Sequence, residues 1–321
     1  MPHDLAPHFF SLAFHWREWT ELWSYEFMRA ALVGSVLLSL VGGYLAVFVV
    51  LRRIVFVSVA LSEFSAVGVA LALLRGVAHA ALLRYSVVFG LVGVVFLALL
   101  HGGRRLTKES IVGTAYAGAA AFSILLLAVA GRHEGHELSA LMWGDVLALS
   151  WHDILDLGLV LLGVALCHAL LYKEFLFCSF DPAMAATLHF RVWAFDLIFF
   201  ASLGVLISFS LQVVGLLVVF AYLVVPGVIG LLAARTLRGA FLVGIGAALL
   251  ASVLGLHLSW VLDLPAGLTL VAVLVALTPV AALVDRVRRG RPIRRSDPSA
   301  FQETIPFHHQ PSEEKGEPKR P

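Results

Sequence analysis

The sequence predicts an all-α membrane protein: a polytopic helix bundle of eight or nine transmembrane segments with a short cytoplasmic coupling helix. Of its 321 residues, 60% are hydrophobic and only 14% are charged, whereas soluble domains carry about 25% charged residues. Apolar runs of about 20 residues, the length that crosses the hydrocarbon core of a bilayer, follow one another along the chain. A soluble fold of this size could not bury so much apolar surface.

These apolar runs predict the membrane segments in chain order. The sixth and seventh runs are separated by almost nothing, around 210–212, so one of the two is short or re-entrant if the count is eight. All connections are short, which predicts a single membrane domain over residues 25–286. The nine runs are 27–51, 54–74, 79–100, 111–130, 153–172, 192–209, 212–234, 239–257 and 266–285.

The two ends of the chain differ from the membrane domain. In residues 1–24, apolar residues that include Trp16, Trp19 and Trp23 recur at near-helical spacing between polar ones. Because tryptophan prefers the headgroup region, this segment is predicted to be an amphipathic helix lying on membrane lipid. Residues 287–321 are basic and then rich in Pro, Glu and Ser. Such a segment has too little apolar content to fold, and we predict a disordered cytoplasmic tail.

Lysine and arginine predict the orientation of the bundle. One set of alternate loops, together with the tail, holds 18 of the 23 basic residues. Cytoplasmic loops are enriched in these residues, so this set is placed in the cytoplasm. With nine crossings the N-terminal helix lies outside, and with eight it lies inside. The cytoplasmic set is Arg52, Arg53, Arg104, Arg105, Lys108, Lys173, Arg191, Arg235, Arg238 and the tail.

The second apolar run carries a carboxylate, Glu63, among otherwise apolar or small residues. An ionisable group at that depth is costly, and such groups normally face a bundle interior or a watery path. Small neighbours such as Ser62, Ser65 and Gly68 let other helices approach closely. Glu63 is therefore predicted to line a path through the membrane. The alternative is a protonated acid that is hydrogen-bonded to the backbone or to a serine at a helix interface.

The outer loop between the fourth and fifth runs contains His133, Glu134, His136 and Glu137. Imidazole and carboxylate groups are metal ligands, so these four residues are candidates for an outer funnel that attracts a metal ion. The alternative is an ordinary solvated loop. The two histidines are three positions apart, so the segment is not the HExxH pattern of zinc proteases.

The inner loop between the fifth and sixth runs contains Asp181 followed by Pro182. Asp before a Pro in the first turn is a strong helix-start signal. We therefore predict a short amphipathic helix from Pro182 to about Leu188 on the cytoplasmic face. A helix in this position can dock in the groove of a partner protein and transmit its movement.

Several other residues stand out within or beside the runs. Pro226 must break the hydrogen-bond ladder of its helix, and the kink is a candidate for shaping a path. The two cysteines, Cys167 and Cys178, have no metal-type spacing and are interpreted as packed thiols. Four polar residues are interpreted as interface or turn residues in preference to ligands: Asp196, Gln212, His257 and Asp263.

Together these stretches resemble the integral-membrane permeases of zinc-, manganese- and iron-type ABC importers. The resemblance spans roughly residues 27–285. It is carried by the first two runs with the paired arginines between them, by LMWGDVLALSWHD in the outer region, and by SFDPAMAATL in the inner loop. The seventh run and the LDLPAGLTL segment that opens the last run complete it. The stretches occur in family order and at family spacing.

The resemblance implies a permease that moves a divalent transition-metal ion inward across the bacterial cytoplasmic membrane by alternating access. It implies a homodimer of this chain, cytoplasmic ATP-binding subunits and an extracytoplasmic metal-binding protein as partners. Phe180, Asp181, Pro182 and Ala183 would then lie at the contact with the ATPase. No cofactor is expected on this chain, since the metal ion is its substrate.

The chain departs from the family pattern in its second segment. Family members show an Asp, a His four residues later and then a Pro, at the places where this chain has Val59, Glu63 and Val67. Because residues i and i+4 share a helix face, the family's oxygen and nitrogen ligands are replaced by a single oxygen ligand. The usual Thr before Pro226 is Val225. We expect one of three consequences: selectivity for harder ions, selectivity for a chelated metal, or a metal ion that passes this residue only transiently.

Other classes of function are disfavoured. The chain lacks the GxxxxGK[ST] loop, so ATP hydrolysis is expected on a separate subunit. It also lacks paired catalytic groups at membrane depth, which argues against an intramembrane enzyme. No basic patch with interleaved aromatic residues occurs outside the tail, so nucleic acid is not expected as a partner. A proton-coupled secondary metal transporter that uses Glu63 is the remaining alternative.

Overall fold

The structure, a computed structural model, describes residues 23–77, 79–99, 107–130 and 150–289. Every regular element in these ranges is a helix. The helices, numbered here in chain order, are α1 (Glu26–Leu51), α2 (Val55–Leu74), α3 (His79–Leu99), α4 (Lys108–Ala130), α5 (Trp151–Leu170), α6 (Tyr172–Phe180), α7 (Pro182–Thr187), α8 (Val192–Val214), α9 (Leu216–Ala233), α10 (Leu237–Leu262) and α11 (Ala266–Arg289).

Nine of the helices in the described ranges are long and apolar enough to cross a membrane, and α6 and α7 are the two short ones. Their positions follow the predicted apolar runs. The polytopic all-α bundle is therefore confirmed, and the chain is a multi-pass membrane protein. Most of the predicted interfacial helix (residues 1–22) and of the predicted tail (residues 290–321) lies outside the described ranges. The three-part division of the chain stays a prediction.

The predicted boundary between the sixth and seventh segments is wrong. Helix α8 continues through Ser210 and Gln212 to Val214, and α9 begins at Leu216. The single residue between them, Gly215, has a φ of +84°, a conformation that residues with a Cβ disfavour. Polar side chains such as these do not end a membrane helix, because its backbone hydrogen bonds remain intact. The positive φ ends it instead, and both helices are long enough to cross the membrane.

The bundle has central and peripheral helices. Helices α1, α2 and α8 are the most deeply buried, whereas α3, α4, α5 and α11 leave most of their surface exposed. Helix α1 packs against α9 and α10, and α2 packs against α3, α4 and α8. Helix α5 contacts both α1 and α8. This arrangement places α2, the helix that carries Glu63, inside the bundle.

Buried hydroxyl groups join the central helices. The Oγ atom of Ser252 on α10 lies 2.8 Å from Ser39 Oγ on α1 and 2.7 Å from the Tyr222 hydroxyl on α9. In the other half of the bundle, Ser65 Oγ on α2 lies 2.8 Å from Ser208 Oγ on α8. Interhelical hydrogen bonds of this kind contribute about 0.6 kcal/mol each in membranes. They therefore add modestly to the stability of the contacts between the central helices.

The contact between α1 and α9 depends on Gly227, and this gives a prediction of stability. A Cβ added at Gly227 would overlap the backbone carbonyl of Ala46 on α1, whereas one added at Gly246 on α10 meets nothing within 4 Å. Since a backbone carbonyl cannot rotate away, we expect Gly227→Ala to destabilise the fold by about 1–3 kcal/mol. Gly246→Ala is the matched control and should not lower the thermal midpoint in detergent, because alanine is the better helix former. Equal midpoints for the two variants would show that α1 and α9 are not this close.

Candidate functional site

Glu63 lies on α2 where that helix packs against α4. Its side chain is buried, and Ser123 Oγ on α4 donates a hydrogen bond to Glu63 Oε2 over 3.3 Å. The same hydroxyl is 2.9 Å from the carbonyl oxygen of Ala120, so its single proton is shared. Glu63 therefore lies at a helix interface and is hydrogen-bonded to a serine. This is the arrangement that the sequence analysis gave as the alternative to a role in lining a path. Its role in a path stays a prediction.

The residues one turn away from Glu63 offer no second ligand. Val59 and Val67 share its helix face and are half-buried. Among the residues that the structure describes, no cluster of three or more His, Cys, Asp or Glu side chains is placed to hold a metal ion. Glu63 is thus the one carboxylate that the described residues of this helix face provide.

The predicted outer funnel, His133, Glu134, His136 and Glu137, lies outside the described residues and stays a prediction. The described residues that follow it have local roles. Asp153 forms a capping box with Ser150 at the start of α5, and the exposed His152 pairs with Asp156 over 3.3 Å. These side chains anchor the start of α5.

Pro226 lies buried inside α9, where it lacks the N–H group that would bond to the carbonyl of Tyr222. A Cβ added at Gly244 on α10 would lie 2.8 Å from the Pro226 carbonyl oxygen, so α10 covers the helix at this point. The proline therefore sits where α1, α9 and α10 pack together. Val225 beside it is half-buried. Path shaping by Pro226 stays a prediction.

The predicted short helix is present as α7. Asp181 accepts a hydrogen bond from the Met184 N–H over 2.9 Å, and Pro182 occupies the first turn. The helix ends at Thr187, His189 just after it has a positive φ, and the Phe190 N–H donates back to the Ala185 carbonyl over 3.1 Å. Both ends of α7 are thus defined by local hydrogen bonds.

Exposed apolar side chains lie on α7 and immediately before and after it. Ala185 is fully buried, whereas Phe180, Met184 and Leu188 each leave more than half of their surface exposed. We call these three side chains the α7 apolar surface. Pro182 and Ala183 are also exposed. An exposed apolar group on a short helix outside the membrane-spanning segments is typical of an interaction site.

Arg52 connects this region to the turn between α1 and α2. It is the C-terminal capping residue of α1. Its Nε donates to Ser179 Oγ over 2.7 Å and its Nη2 to the Phe175 carbonyl over 3.1 Å, both on α6. Its Nη1 donates to Asp196 Oδ1 on α8 over 2.7 Å. One guanidinium group therefore joins three parts of the fold.

The environment of this guanidinium is largely apolar. Its Cζ lies 4.1 Å from the centre of the Phe199 ring, a cation–π distance. The Arg52 side chain is 7% exposed and that of Asp196 is 41% exposed. Burial lowers the pKa of Arg52, and the Asp196 carboxylate opposes that shift. The group is held as a partly buried ion pair.

Sequence reasoning missed this cluster. It used Arg52 only to mark a membrane face, although it interpreted Asp196 as an interface residue. It also missed His168, which is buried beside the cluster with its Nε2 2.8 Å from Ser202 Oγ and its ring centre 4.6 Å from that of Phe175. A basic residue at a helix end and an acid 144 positions later show no pairing signal in a single sequence.

The comparison with known families decides what kind of protein this is. A family model described as the ABC 3 transport family matches residues 24–285, which include almost all of the membrane bundle. The chain belongs to the ABC 3 transport family. The resemblance found in the sequence is thereby confirmed, and the chain is a transport component and not an enzyme.

Two proteins named for metal transport match over most of their length. The manganese transport system membrane protein MntC of Listeria monocytogenes is 26% identical over 262 residues, 82% of this chain and 92% of MntC. The probable iron transport system membrane protein of Haemophilus influenzae is 24% identical over 266 residues, 82% of this chain and 96% of that protein.

A solved structure shares the fold. It is described as PsaBC from Streptococcus pneumoniae in complex with Fab, and it superposes with a TM-score of 0.74 at 22% identity. The match covers 84% of this chain and 97% of the other. The helix arrangement described above is therefore shared with a protein of known structure.

Proposed function

We propose that this chain is the permease subunit of an ABC importer that carries a divalent transition-metal ion into a bacterial cell. The observation that carries the proposal is the likeness, over more than 80% of the chain, to proteins named for manganese and iron transport. The permease changes which side of the membrane its path faces, and ATP hydrolysis on a separate subunit drives that change.

Manganese is the metal that the residues favour. Glu63 offers a carboxylate on α2, and Val59 and Val67 leave its helix face without a nitrogen ligand. Carboxylate oxygen suits Mn²⁺ better than the softer ions that imidazole and thiolate favour. A chelated metal is the second candidate, because a single protein ligand leaves most coordination positions of the ion to a small chelator.

The partners follow from the same proposal. Two copies of this chain form the path, a cytoplasmic ATP-binding subunit docks on α7, and an extracytoplasmic protein delivers the metal. The α7 apolar surface supports the docking role, since one exposed apolar side chain on this short helix and one at each of its ends fit a groove on a partner.

The experiment that tests the function is a competition assay. Cells that carry the complete transporter take up tracer manganese in the presence of excess unlabelled manganese, iron, zinc or nickel. We expect manganese to compete most strongly and iron next. Zinc or nickel as the strongest competitor would contradict the assignment of the metal. No ATP-linked uptake of any of these ions, free or chelated, would contradict the proposed function.

The cap of α7 gives a further prediction. Asp181→Ala removes the side chain that accepts the Met184 N–H and should destabilise the helix start by about 1 kcal/mol. We expect fewer metal ions to be transported per ATP hydrolysed. Asp181→Asn is the matched control, because asparagine caps a helix as well as aspartate does. If both variants transport with wild-type coupling, α7 does not transmit the ATPase movement.

A further inference from the structure

The turn between α1 and α2 is short and hydrogen-bonded, which couples Arg52 to the helix that carries Glu63. Helix α1 ends at Leu51 and α2 begins at Val55. Within the turn, the Ile54 N–H donates to the Val49 carbonyl over 3.0 Å, and Arg53 adopts a φ of +56°. Glu63 lies eight residues into α2, about 12 Å along the helix axis.

The hydrogen bonds of Arg52 reach both sides of α7. Ser179 and Phe175 lie on α6, which precedes α7, and Asp196 lies in the first turns of α8, which follows it. If α7 moves, either α6 and α8 move with it, or the hydrogen bonds between Arg52 and these two helices are strained. Lysine could not make the same three hydrogen bonds, because its single nitrogen cannot donate to three acceptors that lie in the plane of a guanidinium group.

Arg52 and Asp196 are buried to different extents, and this difference allows the ion pair between them to separate. The Arg52 side chain is 7% exposed, whereas that of Asp196 is 41% exposed. Water can therefore solvate Asp196 when the pair separates, and the contacts of Arg52 with α6 hold the guanidinium in place. A fully buried pair would resist such a rearrangement more strongly.

We infer that Arg52 is a positioning residue that transmits movement of α7 to α2. The inference rests on the proposed function, since it takes α7 as the ATPase contact and α2 as a wall of the metal path. In this role the side chain acts through the helices that it joins.

The neighbouring Arg53 supplies a matched control. It is exposed, it carries the same charge at the same turn, and no hydrogen bond from its side chain occurs within the described residues. The variants Arg52→Lys and Arg53→Lys therefore make the same chemical change at adjacent positions, and only the first breaks the contacts to α6 and α8.

The test measures ATP hydrolysis and tracer manganese uptake together, with the complete transporter in liposomes. Arg52→Lys should lower uptake per ATP hydrolysed by about tenfold, the cost of losing one charge-assisted hydrogen bond. Arg53→Lys should match the wild type. A purely structural role would lower hydrolysis and uptake in proportion and leave their ratio unchanged. That unchanged ratio overturns the inference.

A second variant protects the test against a misfolded Arg52→Lys protein. Asp196→Asn keeps the shape of a half-exposed side chain and removes its charge, so we expect it to assemble and to lower the same ratio. A wild-type ratio in Asp196→Asn overturns the inference. If the wild-type complex itself shows no ATP-driven uptake of manganese, iron, zinc or nickel, free or chelated, the proposed function fails, and the inference fails with it. Normal coupling in both the wild type and Arg52→Lys overturns the inference alone.

Discussion

Replacing Glu63 with glutamine is expected to lower the initial rate of manganese uptake about a hundredfold, the upper range for disturbing a metal site. Glutamine has the same shape and can still accept the hydrogen bond from Ser123, so the α2–α4 contact and the assembly of the transporter should survive. What is lost is the negative charge that attracts the ion. The measurement is tracer manganese uptake by cells, normalised to the amount of transporter in the membrane.

The control is Glu109→Gln, which removes an exposed carboxylate from the first turn of α4. Its uptake should equal that of the wild type. If Glu63→Gln also transports at the wild-type rate, then Glu63 only fills the interface between α2 and α4, which is the arrangement that its contact with Ser123 allows.

Placing a charge on the α7 apolar surface should abolish binding of the ATPase. Met184 is about half exposed, so Met184→Glu leaves the fold of the permease intact. Burying that carboxylate against an apolar groove without a partner costs several kcal/mol, enough to lower affinity more than a hundredfold. The measurement is the amount of ATPase that co-purifies with the tagged chain, together with the ATP hydrolysis of the preparation.

Met184→Leu is the matched control, because it keeps the volume and the apolar character of the side chain. It should retain the ATPase at the wild-type level. Equal retention in Met184→Glu and the wild type would mean that the ATPase docks elsewhere, and α7 would then need another explanation for its exposed apolar side chains.

Composition and local signals were sufficient to predict most of the fold. Runs of about 20 apolar residues located all nine spanning helices in the described ranges, because the length of such a run is set by the membrane itself. Asp181 and Pro182 located α7, because capping depends only on neighbouring residues. Helix α6 escaped prediction, since its nine residues are too few to form an apolar run of that length.

The contacts that connect distant parts of the chain could not be predicted. The pairing of Arg52 with Asp196 depends on how α1 and α8 meet in space. The boundary between α8 and α9 lies at Gly215. It was predicted a few residues too early, because the polar residues Ser210 and Gln212 were taken as the end of the apolar run. Glu63 was recognised from its depth in the membrane, but only the packing of α4 revealed Ser123 as its neighbour.

The central claim is that a separate ATPase, acting on α7, moves metal through this bundle. The most direct test reconstitutes the purified chain in liposomes, with and without its co-purifying ATPase, and follows tracer manganese uptake. We predict uptake that requires both the ATPase and ATP hydrolysis, and that persists when an uncoupler collapses the proton gradient. Uptake by the chain alone, driven by a proton gradient without nucleotide, would contradict the account and favour a proton-coupled carrier.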